Sequence, residues 1–315
     1  TVAASAVGIV LALILGTLIG VGRLSENFLV ARLSQIYVEV IRNIPPLVVI
    51  TFFGFAVFTF GPFPAFNPTN PPSEVGVPGS DDTLLILSND RWGFPSLASD
   101  GNVGLFWLLV LVALAAAVAV WRWRTSINIR TGAPHHRVLW SLATLVGLTA
   151  IAFVILARPY RMSWPAVSES GRVIEGGFAT NAGYMAVTAA LSLYTASHIA
   201  EIIRGSILAV PKGQSEASNA LALSGFQRYR FVVLPQAMRI AIPPIINQFL
   251  NLTKNTSLGT VVAYPEITAL IKTAIGNGKP AVQLLLVLMV IYLSFSFLIS
   301  IVMNVVNRRL QLVDR

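Results

Sequence analysis

Stretches apolar at almost every position fall near Val2–Val21, Pro46–Phe60, Leu105–Val120, Val138–Leu156, Ala182–Ile203, Ile240–Val262 and Val282–Val305. A hydrocarbon core about 30 Å thick takes about 20 apolar residues of helix to cross. The runs therefore predict about seven membrane spans. The second is short, and the sixth holds the pair Pro243 and Pro244. Proline is tolerated in a membrane helix where neighbouring helices or a cavity satisfy the freed carbonyls, so the sixth span is expected to face the bundle. Between Ser25 and Arg42 the pattern changes: Phe28, Leu29, Leu33, Ile36, Tyr37 and Val40 recur at steps of three and four. That spacing predicts an amphipathic helix lying at the membrane face. The stretch Gly61–Asn102 is rich in Pro, Gly, Asn and Asp without helical period and reads as an irregular loop. No soluble domain is expected.

Charge gives the pattern a direction. Only 11% of the 315 residues are charged and 55% are hydrophobic, against about 25% charged in a soluble domain. Lipid must solvate much of the chain. Of the 22 Lys and Arg, fifteen fall on one set of alternate loops, with five acids; six fall on the other, with eight acids. Lys254 alone lies within a span. The Lys/Arg-rich side is cytoplasmic by the positive-inside rule, which places Thr1 outside and the C-terminus inside. The net charge of +9 is thus a topology signal, and nucleic-acid binding loses its support. The first run has no basic segment ahead of it and reads as a retained helix rather than a signal peptide. A start at Thr1 without Met suggests numbering that begins inside a longer protein. Cysteine is absent, which excludes disulfides and thiolate metal sites and leaves the redox compartment open.

The long polar segment Arg204–Arg239 reads RGSILAVPKGQSEASNALALSGFQRYRFVVLPQAMR. Connections of this length between spans are usually functional. Pro211 can open a helix that runs through Glu216 and Ala220; Ser224 and Gly225 can break it; Phe226–Val233 continues to Pro235. A helical hairpin of this kind either transmits force to a partner or rests on the bilayer.

The segment resembles the cytoplasmic EAA loop of ABC-importer permeases, whose pattern is E-A-A, three residues, G, nine residues, I, one residue, L-P. Glu216, Ala217 and Ser218 fill the first places, Ala222 stands for the glycine, Val232 for the isoleucine, and Leu234 and Pro235 close the pattern in register. Gly225 is expected to supply the positive φ that Ala222 disfavours. The flanks LSLYTASHIAEIIRGSILAVPKGQSEA, LPQAMRIAIPPIINQFLNLTKNTSL, RLSENFLVARLSQIYVEVIRNIPPLV and NRRLQLVDR are similar to polar amino-acid permeases. Residues 64–177 look like the inserted hairpin of the longer general L-amino-acid type. The resemblance implies an all-α, polytopic helical bundle with a methionine-permease-like five-helix core over about 1–60 and 180–315, formed by spans one, two, five, six and seven. It implies a further helix ahead of Thr1 and a bacterial inner-membrane location. It also implies the partners: a second permease subunit, two ATP-binding-cassette ATPases carrying ATP and Mg, and an extracytoplasmic amino-acid-binding protein. ATPase contact is expected over Gly213, Glu216, Ala217, Ser218, Ala222, Gly225, Leu234 and Pro235.

No phosphate loop of the form G-x-x-x-x-G-K-[ST] occurs, since Lys212 lies in Pro-Lys-Gly-Gln and Lys254 in Thr-Lys-Asn-Thr. ATP hydrolysis is expected on another chain, with no cofactor here. His135, His136 and His198 lack paired acids, so no metal site is expected. Intramembrane charge is costly and usually faces a bundle interior or an aqueous path. Steps of three and four join Asn247, Asn251, Lys254 and Asn255 on one helical face. That face is either a cavity wall whose ammonium attracts a substrate carboxylate or an inter-subunit hydrogen-bond cluster. Glu201 and Arg204 can pair at the root of the long segment. Trp121, Trp123, Trp140 and Trp164 fall near span ends, as aromatic belts do. An ion-coupled secondary transporter would need coupling-ion ligands at mid-span, and no acid stands in the middle of any span. A non-transporting scaffold leaves the EAA-like segment unexplained.

Overall fold

The computed structural model describes residues 1–66, 72–78, 80, 82–99, 102–132, 136–156 and 160–310. Asp81, Asp100, His135, Arg158, Asp314 and Arg315, which entered the charge and histidine readings, lie outside the described residues. In chain order the helices are α1 (Val2–Gly22), α2 (Phe28–Arg42), α3 (Pro46–Thr51), α4 (Val103–Thr131), α5 (Arg137–Ile155), α6 (Ala182–Leu208), α7 (Lys212–Ala220), α8 (Gly225–Arg228), α9 (Leu234–Asn255), α10 (Ile267–Gly276) and α11 (Ala281–Leu310). The strands are β1 (Ser73–Gly76), β2 (Thr83–Leu87), β3 (Arg91–Phe94), β4 (Ser96–Ser99), β5 (Tyr160–Ser163), β6 (Ala166–Val167), β7 (Ile174–Glu175) and β8 (Phe178–Asn181). Among the described residues, five helices are long and apolar enough to cross a membrane, or seven if two bent pairs each count as one span. The chain divides into two compact units, Thr1–Phe66 with Ser88–Arg91 and Thr180–Arg315, and Asn67–Leu87 with Trp92–Ala179.

The first unit is organised around α6, which buries small and hydroxyl residues along most of its length, including Ala186, Ala190, Ser192, Ala196 and Ala200. Helix α1 lies parallel to it. The buried positions of α1 are Ala4, Ser5, Gly8, Ala12, Gly16 and Gly20, so one face at four-residue spacing carries no large side chain. A Cβ added at Gly16 would stand 2.7 Å from the Cβ of Ile199, and one at Gly20 would stand 2.8 Å from the Ala200 carbonyl oxygen. Lipid tails are as apolar as leucine, so membrane helices associate through such close backbone approach rather than through hydrophobic burial. The amphipathic helix expected near the start is α2. Asn27 caps it, accepting from the Leu29 and Val30 amides, and Tyr37 donates its hydroxyl to the Leu193 carbonyl at 2.7 Å. After Pro45 the chain turns by 103° into α3 and a π-helical turn over Phe52–Thr59.

One expectation for the long polar segment needs correction here. Pro235 does not stop the helix: α8, a π turn over Tyr229–Val233 and α9 form one uninterrupted rod. A proline inside a helix lacks the donor for one bond and crowds the preceding turn. The extra residue of the π turn stands immediately ahead of Pro235 and loosens that turn. The pair Pro243 and Pro244 is accommodated inside α9, which continues to Asn255 before tightening to a 3₁₀ segment over Thr256–Val262. That segment packs closely: a Cβ on Gly54 would lie 2.3 Å from Val262 Cγ1, and one on Gly183 2.6 Å from the Val262 carbonyl oxygen.

The second unit pairs α4 and α5 as an antiparallel hairpin, with the Ser141 hydroxyl donating to the Ala117 carbonyl at 3.0 Å and Phe106 edge-on to Phe153. It also overturns the reading of an irregular loop. Strands β1, β2, β3 and β8 form one sheet, β4 pairs β5 with Leu97 opposite Met162, and β6 pairs β7. Ile86 is fully buried, and Gly93 lets Pro165 and Ile174 approach to distances that a Cβ would obstruct. These strands are two to five residues long, and several find partners more than sixty residues away. Segments so short and so distant leave no local period to read.

Candidate functional site

Helix α7 begins after Pro211, whose extended backbone fits the position before a helix. Its C-terminus closes in a Schellman turn: the Ala222 amide donates to the Asn219 carbonyl at 2.9 Å, and the Leu223 amide reaches back to the Ser218 carbonyl at 3.1 Å. The residue at the turn must be left-handed, and Ala222 has φ +54°. The expectation that Gly225 would supply the positive φ is therefore wrong. Gly225 is the first residue of α8, and Ser224 caps that helix in a reciprocal capping box with Gln227.

The two limbs of this segment are tied together. Arg228 Nη1 donates to Asn219 Oδ1 at 3.0 Å, and Gln236 Nε2 donates to Gln214 Oε1 at 3.2 Å. Ser218 is buried at 2% exposure and donates its hydroxyl to the Gln214 carbonyl at 2.6 Å, which explains a small residue at the third motif place. Val210, Val233 and Ala237, with Ile207 beside them, form the apolar core at the root. Gly213, Glu216, Ala217, Ala222, Gly225, Leu234 and Pro235 face outward, as do Leu221, Phe226 and Phe231. The segment thus presents, on a braced frame, an apolar surface that carries the one carboxylate of Glu216 with the cations Lys212 and Arg230 exposed beside it.

At the neighbouring end of α6, the Glu201 carboxylate gathers three arginines. Arg204 binds it at 2.6 Å from the same helix, as the spacing of three allows, while Arg23 at the end of α1 binds it directly and Arg42 at the end of α2 lies 3.8 Å away. One carboxylate thereby fastens three helix ends. The sequence disclosed the pair with Arg204 and missed the other two, because contacts across 178 residues have no spacing signature.

Asn247, Asn251 and Lys254 are exposed and Asn255 is half-buried, on the side of α9 away from its packed residues Ile245, Phe249 and Leu252. The structure brings all four onto one side of the helix. It does not enclose them within this chain: the Lys254 side chain stands in the last turn of α9 on an open face. Glu266 was placed only as a loop acid. It is 1% exposed, caps α10 through the Ala269 amide at 3.0 Å and accepts the Tyr292 hydroxyl from α11 at 2.9 Å. Glu is not among the favoured N-cap residues, so neither α10 nor its cap announced itself in the sequence.

Residues 8–312 match the family model described as "Binding-protein-dependent transport system inner membrane component". The chain is 39% identical over its whole length to the general L-amino acid transport system permease protein AapQ of Rhizobium johnstonii, covering 76% of that protein. It is 37% identical, again over its whole length, to the putative amino-acid ABC transporter permease protein YhdX of Escherichia coli, covering 77% of it. It is 33% identical over 93% of its length to the glutamate/glutamine/aspartate/asparagine transport system permease protein BztB of Rhodobacter capsulatus, covering 73% of that chain. A solved structure described as an amino acid ABC transporter with histidines superposes with a TM-score of 0.53 over 97% of this chain and 88% of that one, at 14% identity, and so shares the fold. The chain belongs to the family of inner-membrane components of binding-protein-dependent transport systems.

Proposed function

We propose that this chain is one permease half of an ATP-driven importer that moves amino acids into the cytoplasm, and that α7 with its closing turn is the surface on which a separate ATPase docks. The observation that carries the reading is the braced, outward-facing segment Gly213–Pro235, rooted on Val210 and Val233 and continuous with the membrane rod α9. A surface joined stiffly to a spanning helix suits the transmission of force. The names of the relatives support amino acids as cargo. A second permease subunit, two ATPases holding ATP and Mg, and an extracytoplasmic amino-acid-binding protein complete the transporter. Cation asymmetry supports Thr1 outside and the C-terminus in the cytoplasm. The compact unit Asn67–Leu87 with Trp92–Ala179 supports an insertion into a five-helix core. Lys254, with Asn247, Asn251 and Asn255, forms part of the substrate path once a partner subunit covers the open face of α9.

The docking role is tested by Glu216→Lys, which reverses an exposed charge without touching packing. The variant is expected to insert normally and to hydrolyse ATP in the complex without coupled uptake. Uptake at the wild-type rate removes Glu216 from the contact.

A further inference from the structure

The turn between α4 and α5 carries charge that the docking surface and the substrate path do not use. From Trp121 to Trp140 there are four arginines, Arg122, Arg124, Arg130 and Arg137, and no Asp or Glu. Two of them lie over rings: Arg124 stands 4.6 Å from the Trp140 centroid, and Arg137 stands 5.9 Å from that of Trp121. The other two, Arg122 and Arg130, are exposed and have no acidic partner among the described residues. With Trp121, Thr125, Ser126 and Ile129 they line an open cavity of about 360 Å³. These residues recur in adjacent pairs at four-residue steps and therefore share one face of α4. The Thr125 hydroxyl oxygen is buried and has no hydrogen-bond partner among the described residues.

We propose that this face binds an anionic phospholipid of the cytoplasmic leaflet. Guanidinium groups match phosphate oxygens in geometry as well as charge, and the exposed Ser126 hydroxyl adds a donor. Arg122 and Arg130 are about 12 Å apart along the helix, within the combined reach of two long side chains around one headgroup. Trp121 and Ile129 supply an apolar edge for the first methylenes of the acyl chains, an edge that a free phosphate would leave unused. The leaflet assignment rests on the orientation proposed above.

The test is native mass spectrometry of the assembled transporter released from nanodiscs of phosphatidylcholine containing a minority of phosphatidylglycerol. The wild type is expected to retain phosphatidylglycerol about thirtyfold over phosphatidylcholine, as two surface cations warrant. Arg122→Gln with Arg130→Gln is expected to abolish the preference, and Arg122→Lys with Arg130→Lys to keep part of it. Equal retention by wild type and the glutamine variant overturns the proposal. Displacement of the lipid by millimolar inorganic phosphate overturns it in favour of a free-anion site. Loss of the second permease subunit from the glutamine variant overturns it in favour of a protein contact. Orientation is read separately, in intact cells, by labelling Thr131→Cys in this cysteine-free chain with an impermeant maleimide. Protection from the outside is expected. Labelling from outside overturns the orientation and the leaflet assignment, while the lipid preference remains a separate reading.

Discussion

Ala222 closes α7 at φ +54°, where a Cβ crowds the following carbonyl at a cost of about 1–2 kcal/mol. Glycine removes that crowding but adds freedom to the unfolded chain, which takes back about 0.4–1 kcal/mol. Strain relief is the larger effect, so Ala222→Gly is expected to raise thermal stability by about 1 kcal/mol. A lower melting temperature by scanning calorimetry would show that the Schellman turn is not where the strain lies. Lys254 poses a different question, because its ammonium stands on an open face of this chain. Charge attraction grows as the local dielectric falls, so any hold on a substrate carboxylate must come from water excluded by a partner. Lys254→Met is expected to reduce uptake about tenfold, equivalent to about 1.4 kcal/mol, at unchanged complex yield. If yield and uptake fall together, the lysine holds the assembly and the cavity role is lost. At this scale the sequence disclosed the polar stripe through its spacing, yet it misplaced the turn at Gly225. A single motif position does not reveal which residue takes the left-handed backbone.

Elements were legible in proportion to their length and periodicity. Five of the seven apolar runs became helices long and apolar enough to cross a membrane, since a helix satisfies its own backbone hydrogen bonds in lipid. Helix α2 was legible from Phe28, Leu33 and Tyr37. The strands Thr83–Leu87 and Tyr160–Ser163 were not: both are only four or five residues long, and the second pairs with Ser96–Ser99 more than sixty residues away. Proline was over-read at Pro235, where the π turn ahead of it lets the helix continue. The stripe Gly8, Ala12, Gly16 and Gly20 on α1 has a direct consequence. Gly16→Val places new atoms against Ile199 and the Ala196 carbonyl, and overpacking of this kind costs about 1–3 kcal/mol. Its melting temperature in detergent is expected to fall, while the same change at Gly147, which has nothing within 4 Å of the added Cβ, leaves it unchanged. Equal effects at both sites would mean that α1 and α6 are not held by close approach.

At the scale of the whole molecule, the run from Gly225 to Val262 has no break and is about 55 Å long, against a hydrocarbon core of about 30 Å. It joins the surface proposed for the ATPase to the far end of the span. Spin labels at Phe226→Cys and Val261→Cys are expected to keep the same separation, within about 3 Å, in nucleotide-free and nucleotide-trapped transporter. Shortening between the two states would locate a hinge at Pro243 and Pro244. A member that cannot flex has no slack to absorb a push at one end. It is braced on α6 at both ends, by Ile207 beside Val233 and Ala237 and by Gly183 against Val262, so a push on it is shared along the whole of α6. If the label separation holds, the two helices move as one body, and a displacement at one membrane surface must reappear at the other.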